Sequence, residues 1–237
     1  MLAVAAFVLV VAGCDLMRAG SDHTTGSRRL AIDLLGVLGF AFLALLLDLR
    51  GAALLGLVLV WVVAFGIWVH ASAAALTRSS AVARALAFVA LGTGIALSVV
   101  CDSLRGDDMA ATAAQTEGLA TGLVLAAAVL LQLSTANIVV RLILDAVGVP
   151  ATTGEKQLKG GRVLGPMERL FLVTLGGLGH LTAAVVVVAA KGLLRFPELQ
   201  RGAAEPGPSD VTEYFLIGSF ASWLVGLAGV VMIAFGA

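Results

Sequence analysis

Charged side chains are scarce in this sequence. Only 13% of the residues are Asp, Glu, Lys or Arg, whereas 60% are hydrophobic. A soluble globular domain has about a quarter charged residues and about half apolar residues, so this composition excludes an ordinary soluble protein. Basic and acidic residues are equal in number, 15 of each. Because no dense basic patch occurs, nothing indicates a nucleic-acid partner.

Motifs of well-known catalytic and metal sites are also missing. The two cysteines, Cys14 and Cys101, form no CxxC pair, and the sequence contains no HExxH. Gly160-Gly161 lacks the rest of a phosphate-binding loop. A retinal protein needs a lysine deep in a helix, and Lys191 is predicted at a helix end. We therefore predict no catalytic residue, no metal and no cofactor.

Apolar runs of roughly twenty residues recur along the chain, and each is long enough to cross about 30 Å of hydrocarbon as a helix. We predict an all-α protein, a polytopic bundle of about seven transmembrane helices in a single domain. The predicted helices cover residues 1–17, 31–48, 52–76, 84–101, 118–140, 169–190 and 214–236.

The first apolar run allows two interpretations. Val11-Ala12-Gly13-Cys14 is typical of the lipid-attachment site in a bacterial lipoprotein signal. A signal peptide begins with a positive charge, and no Lys or Arg precedes Cys14. We therefore favour an uncleaved first helix, although its length leaves open whether it crosses the whole membrane.

The distribution of Lys and Arg predicts an orientation, because cytoplasmic connections are enriched in these residues. With seven helices, alternate connections lie on the same side. Those at 18–30, 77–84 and 141–169 hold ten Lys and Arg residues, and the others hold five. The richer side is predicted to be inside, which places the N-terminus outside and the C-terminus inside.

Ionisable and polar residues at membrane depth are candidates for function. His180, near the middle of the predicted helix 169–190, could relay protons, contact a ligand or simply bond to another helix. Gln132 and Asn137 belong to a polar patch on the predicted helix 118–140. The patch could line a small cavity or join helices by hydrogen bonds, and both interpretations stay open.

A further set of candidates lies at the predicted helix ends. Such residues can pair across helices, extend to lipid phosphates or bind a substrate. The set comprises Arg162, Glu168 and Arg169 at the inner end of helix 169–190, Lys191, Arg195 and Glu198 at its outer end, and Glu213 with Tyr214 at the outer start of the last helix.

The C-terminal part of the chain resembles a known family. The matching segments are Gly161-Arg162-Val163-Leu164-Gly165-Pro166-Met167-Glu168-Arg169, Ala190-Lys191, Arg195-Phe196-Pro197-Glu198-Leu199 and Glu213-Tyr214-Phe215-Leu216-Ile217-Gly218-Ser219. Residues 160–222 thus resemble the C-terminal part of an uncharacterised family of bacterial multi-pass membrane proteins. The resemblance implies a bacterial inner-membrane location but no activity. The family often has Gln near the position of His180, and residues 1–140 show no match.

Three functions are compatible with these features. The first is a non-catalytic membrane component or complex subunit, which contacts the lipid bilayer and a membrane-protein partner or further copies of itself. The second is a small-solute or ion transporter or channel, with a polar cavity near helices 118–140 and 169–190. The third, an intramembrane enzyme, needs a base and a polarising group at one depth, and no such set is recognised.

Overall fold

A computed structural model describes residues 1–18, 26–46, 52–105, 108–148, 161–190, 193 and 210–236. Every regular element within these ranges is a helix, which confirms the predicted all-α helix bundle. Five apolar stretches are long enough to cross a membrane: Gly26–Leu46, Leu55–Arg78, Ala81–Leu104, Gly118–Ala146 and Leu216–Gly236. The helices are α1 (Leu2–Leu16), α2 (Gly26–Leu46), α3 (Ala52–Arg78), α4 (Ala81–Arg105), α5 (Asp108–Leu133), α6 (Thr135–Ala146), α7 (Gly161–Gly177), α8 (Leu181–Ala190) and α9 (Asp210–Gly236).

Helix α1 is the centre of the bundle. Most of its residues are buried, because it packs against α2, α4, α5 and α6. The Phe7 ring stacks on Phe40 with a centroid separation of 5.8 Å, and both rings contact Trp61. Fifteen residues extend only about 22 Å, less than the hydrocarbon thickness. Three of the helices that enclose α1, namely α2, α4 and α5, are longer than α1 itself.

The amino end of α1 is capped by a carboxylate from another helix. The backbone N–H groups of Ala3 and Val4 donate to Asp102 Oδ1 at 2.9 Å and Oδ2 at 3.3 Å. A negative charge is favourable at the positive end of a helix dipole. We name this end of the bundle the Asp102 end. At the other end, the Asp145 end, the Asp145 carboxylate accepts hydrogen bonds from Ser79 and Arg84.

Helices α7 and α9 run in the same direction. A methyl group placed on Gly226 would lie 3.1 Å from Leu172, and one on Gly177 would lie 3.3 Å from Ile233. Later residues of α7 thus contact later residues of α9, which shows that the two helices are parallel. The chain between α7 and α9 must therefore return from the Asp102 end to the Asp145 end, and α8 lies within this connection.

The two chain ends lie together. A methyl group on Gly236 would be 2.9 Å from Cβ of Met1. This contact corrects the predicted location of the C-terminus on the opposite side from the N-terminus. The prediction counted residues 169–190 as one crossing followed by an antiparallel helix, whereas the parallel α7 and α9 require an additional return.

Two predicted helices are interrupted. The predicted helix 118–140 is divided at Ser134, whose φ and ψ of −124° and −75° are not helical. The predicted helix 169–190 differs more, because α7 begins at Gly161, ends at Gly177 and is followed by a turn. Gly179 adopts φ of 81°, its N–H donates to Gly176, and the N–H of His180 donates to Leu175 at 2.7 Å. This pattern of bonds is a Schellman helix end, which needs a left-handed residue.

Candidate functional site

The interruption at Ser134 places backbone polar groups inside the bundle. Where a helix ends, its last carbonyl groups lose their usual partners, and burial without new partners is costly. Ser134 Oγ lies 2.7 Å from the carbonyl oxygen of Ala12 and 2.9 Å from that of Leu130, and its single proton is donated to one of them or shared between both. Asn137 Nδ2 donates to the carbonyl oxygen of Leu133 at 3.1 Å. Local side chains therefore stabilise the divided helix.

Arg169 lies at the carboxyl end of α5. Its guanidinium donates to the carbonyl oxygen of Gln132 from Nε at 3.3 Å and from Nη2 at 2.7 Å. The same group donates to Asn137 Oδ1 and, at 2.9 Å, to Ser222 Oγ. Arg169 is only 2% exposed. The cation is favourable at the negative end of the α5 dipole, and the structure thus brings together three predicted candidates, Gln132, Asn137 and Arg169.

Glycines of α9 make room for this cluster. A methyl group on Gly229 would lie 2.6 Å from Gln132 Nε2, and one on Gly226 would lie 3.7 Å from the Arg169 side chain. Gln132 Nε2 donates to the carbonyl oxygen of Val225 at 3.4 Å. Gln132 Oε1 is buried with no hydrogen-bond partner among the described residues. The Arg169 side chain thus joins α5, α6, α7 and α9.

A second buried charge, Asp15, lies near the amino end of α6. Its Oδ2 accepts hydrogen bonds from Trp68 Nε1 at 3.0 Å and Thr135 Oγ1 at 2.8 Å. Its Oδ1 forms a 2.9 Å ion pair with Arg18, which also donates to Ser72 Oγ at 2.9 Å. Asp15 is 1% exposed. The carboxylate is favourable at the positive end of the α6 dipole, and it joins α1, α3 and α6.

The two charges have complementary positions at the divided helix. The anion Asp15 lies at the amino end of α6 and the cation Arg169 at the carboxyl end of α5. Thr135 contacts the anion, and Asn137, two residues later, contacts the cation. A carboxylate can take up a proton, whereas a guanidinium in a protein does not lose one. Asp15 is thus the titratable member of the site.

The sequence interpretation missed Asp15. The usable signal was an acidic residue at the end of the apolar run 1–17, followed by Arg18 at a spacing that allows pairing on one helix face. The partners come from Trp68, Ser72 and Thr135, which lie far along the chain and could not be assigned without the packing.

The other predicted candidates lie elsewhere. His180 is exposed, follows the end of α7 and belongs to neither charged cluster. Glu168 is partly buried beside Arg169. Of the remaining candidates, three belong to described helices, but the structure does not describe their side chains: Arg162, Glu213 and Tyr214. The other three lie outside the described residues: Lys191, Arg195 and Glu198.

A histidine and an aspartate also contact each other at the partly exposed surface between α2 and α3. His70 Nε2 of α3 is 3.2 Å from Asp33 Oδ2 of α2, and the two side chains are 55% and 36% exposed. Within the described ranges, no three His, Cys, Asp or Glu residues come together as a set of metal ligands. The described site therefore consists of hydrogen-bonded side chains at helix ends.

No family model, curated protein or solved structure matches this chain. The resemblance of residues 160–222 to a bacterial membrane protein family thus stays a prediction from the sequence.

Proposed function

We propose that this chain is a non-catalytic component of a bacterial cytoplasmic membrane, acting as a multi-pass protein or complex subunit embedded in the lipid bilayer. One observation carries the proposal. The two charged groups buried at the divided helix, Asp15 and Arg169, are bound by side chains and backbone groups of neighbouring helices.

The energetics of burial support a structural role. A buried charge is tolerated when it is paired or hydrogen-bonded, and the loss of one partner costs about 3–5 kcal/mol. Arg169 makes four hydrogen bonds, to Gln132, Asn137 and Ser222. With this many donors occupied, the guanidinium has little capacity left to bind a solute in this conformation. Its partners hold the helices in register.

We further propose that the Asp145 end faces the cytoplasm. Cytoplasmic connections are enriched in Lys and Arg, and among the described residues Arg105 is the basic residue at the Asp102 end. The described basic residues toward the Asp145 end are Arg18, Arg28, Arg29, Arg78, Arg84, Arg141 and Arg162.

A second candidate function is transport of a small solute or ion. The specific observation in its favour is the divided helix, because many transporters bind ions at the ends of interrupted helices near the bilayer midplane. In this chain the protein's own Asp15 and Arg169 occupy those two helix ends. Transport requires that at least one of these charges exchange partners during a cycle.

Flux and stability measurements on reconstituted protein separate the two candidates. Wild type, Arg169→Lys, Asp15→Asn and the control Ser103→Ala are placed in liposomes containing a pH-sensitive dye or radiolabelled chloride. A structural role predicts the same proton and chloride flux as in empty liposomes. It also predicts a lower midpoint of thermal unfolding for both charge variants and no change for the exposed Ser103→Ala. Wild-type flux that disappears in Arg169→Lys, with unfolding unchanged, would replace the structural proposal by transport.

A further inference from the structure

The partners of the buried Asp15 carboxyl group fit two protonation states. Thr135 Oγ1 lies 2.8 Å from Oδ2, and Arg18 lies 2.9 Å from Oδ1. A hydroxyl group can donate or accept a hydrogen bond, whereas a guanidinium can only donate. Thr135 can therefore accept a hydrogen bond from a protonated Asp15 while Arg18 still donates to the other carboxyl oxygen.

Arg18 also has a partner that does not depend on the charge of Asp15. Its Nη2 donates to Ser72 Oγ at 2.9 Å. The Ser72 hydroxyl in turn lies 3.3 Å from the carbonyl oxygen of Val69, to which it donates its own proton. The Arg18 side chain is 9% exposed, so its charge has contact with solvent at the Asp145 end. Arg18 thus keeps an acceptor when Asp15 becomes neutral.

The break between α5 and α6 leaves one backbone carbonyl for the Thr135 hydroxyl. Three of the last four carbonyl oxygens of α5 accept hydrogen bonds at the break: those of Leu130, Gln132 and Leu133. The fourth belongs to Leu131, and within the described part of the chain no hydrogen bond at the break ends on it. A threonine in a helix can donate to the carbonyl four residues earlier, which for Thr135 is that of Leu131.

The second buried charge lacks this property. The groups around Arg169 are oxygen acceptors on Gln132, Asn137 and Ser222, and a guanidinium in a protein keeps its proton. The surroundings of Arg169 therefore fit one permanent cation, whereas those of Asp15 fit both an anion and a neutral acid.

We propose that Asp15 is a reversible proton-binding site, whose proton changes how α1, α3 and α6 are joined. Uptake of a proton from water forms a neutral carboxylic acid whose O–H donates to Thr135 Oγ1, and release returns the proton to water. Protonation removes the negative charge at the amino end of α6 and the ion pair with Arg18. Because the proton enters and leaves at one site, the proposal requires no flux across the membrane and adds a response to pH to the structural role.

Other titratable or charged groups lie on the helices around Asp15 toward the same end. They are Cys14 on α1, Arg28, Arg29 and Asp33 on α2, His70 and Arg78 on α3, Arg84 on α4, and Arg141 and Asp145 on α6. The described side chains of α5 carry no charge. His70 contacts Asp33, and Asp145 pairs with Arg84. These two pairs titrate as well, so each needs a control.

The indole N–H signals of the full-length chain test the proposal. Protein with isotope-labelled tryptophan is placed in lipid nanodiscs, and the signals are followed by NMR as the pH is lowered and restored. Trp68 donates to Asp15, whereas Trp61 in the same helix donates to the neutral Ser98 and serves as the reference. A hydrogen bond to a charged acceptor is shorter and stronger than one to a neutral acceptor. The Trp68 signal is therefore expected to follow a reversible one-proton titration curve, and the Trp61 signal to stay in place.

Substitutions identify the group that takes up the proton. Arg18→Gln removes the cation that opposes proton uptake, so the midpoint of the Trp68 curve is expected to rise by at least about one pH unit. The matched control Arg84→Gln removes another partly buried cation at the same end, and His70→Leu removes an imidazole. Both should leave the midpoint unchanged. In Asp15→Asn, the neutral amide should give a Trp68 signal that does not titrate.

Three outcomes would overturn the proposal. The first is a Trp68 signal that stays fixed at every pH at which the protein remains folded. The second is a titration that persists in Asp15→Asn or disappears in His70→Leu, which would assign the proton to another group. The third is a midpoint that does not rise in Arg18→Gln. Should Asp15→Asn fail to fold, the comparison of Arg18→Gln with Arg84→Gln decides the question without it.

Discussion

Two tryptophans at the centre of the bundle differ in what their indole groups bind. Trp61 and Trp68 are both fully buried in α3. Trp61 Nε1 donates to the neutral Ser98 Oγ at 2.9 Å, whereas Trp68 Nε1 donates to the Asp15 carboxylate at 3.0 Å. A hydrogen bond to a charged group contributes about twice as much as one between neutral groups. A comparison of substitutions at Trp61 and Trp68 therefore measures how much more a hydrogen bond contributes when its acceptor is the buried carboxylate.

We predict that loss of the N–H donor lowers the free energy of unfolding by about 2 kcal/mol in Trp68→Phe and by about 1 kcal/mol in Trp61→Phe. In both variants the loss caused by the smaller ring adds to these values. Each substitution removes one N–H donor and a similar volume, so the comparison isolates the charge of the acceptor. Reversible unfolding in mixed micelles measures both values. Equal losses of unfolding free energy in the two variants would contradict a stronger hydrogen bond from Trp68 to the Asp15 carboxylate.

The sequence identified part of the site at this scale. Gln132 and Asn137 are predicted candidates because polar groups at membrane depth are rare, and Arg169 is one because it belongs to a charged cluster at a predicted helix end. Arg169 was predicted there rather than inside the helix, since the start of α7 at Gly161 carries no strong apolar signal before Leu170. His180 was predicted inside a helix, but Gly179 ends the helix just before it. Hydropathy measures apolarity, and it does not report where a left-handed residue ends a helix.

At the scale of the element, the divided helix Gly118–Ala146 contains an interruption that the composition does not predict. No Gly or Pro occurs between Leu130 and Asn137, so local propensity does not predict an interruption there. The break is stabilised by contacts with α1, α7 and α9, including those of Ser134 with Ala12 and of Gln132 with Arg169. Tertiary contacts thus override an apolar, continuous helix pattern.

Close approach of helices gives a prediction at this scale. A methyl group on Gly94 would lie 2.0 Å from Cζ of Phe7, whereas one on Gly92, two residues earlier on α4, has no described atom within 4 Å. Phe7 is fully buried and stacked against Phe40, so its ring would have to shift against packed neighbours to make space.

We expect Gly94→Ala to lower the free energy of unfolding by about 1–3 kcal/mol through overpacking. The matched Gly92→Ala should change it by less than about 1 kcal/mol, because only helix propensity differs. Thermal unfolding of the purified variants measures both. An equal effect of the two substitutions would contradict the packing of α1 against α4.

At the scale of the whole molecule, the described ends of α1, α3 and α6 lie together at the Asp145 end. This agrees with the predicted grouping of the connections that follow these helices, and the side of the membrane on which they lie stays a prediction. The prediction failed at the C-terminus because it assumed one crossing between residues 169 and 190. The parallel direction of α7 and α9 depends on contacts such as Gly226 with Leu172, which no periodicity of a single helix reveals.

Cysteine labelling in intact cells tests this arrangement. In a background without native cysteines, a membrane-impermeant thiol reagent is expected to label Ser103→Cys and Ala237→Cys but not Ser79→Cys. Ser103 belongs to the Asp102 end and Ser79 to the Asp145 end, while Ala237 follows Gly236 beside Met1. Labelling of Ala237→Cys together with Ser79→Cys would place the chain termini on opposite sides. Permeabilised cells, in which all three variants should react, provide the control.

The buried position of α1 has a consequence for the order of synthesis. The ribosome produces α1 before α4 and α5, two of the helices that later enclose it. During that interval Asp15 lacks Trp68 and Thr135, and the N–H groups of Ala3 and Val4 lack Asp102. Arg18, three residues from Asp15, is the partner that already exists when α1 emerges. The nascent helix therefore enters the membrane with its own counter-ion, and its remaining bonds form only as the later helices arrive.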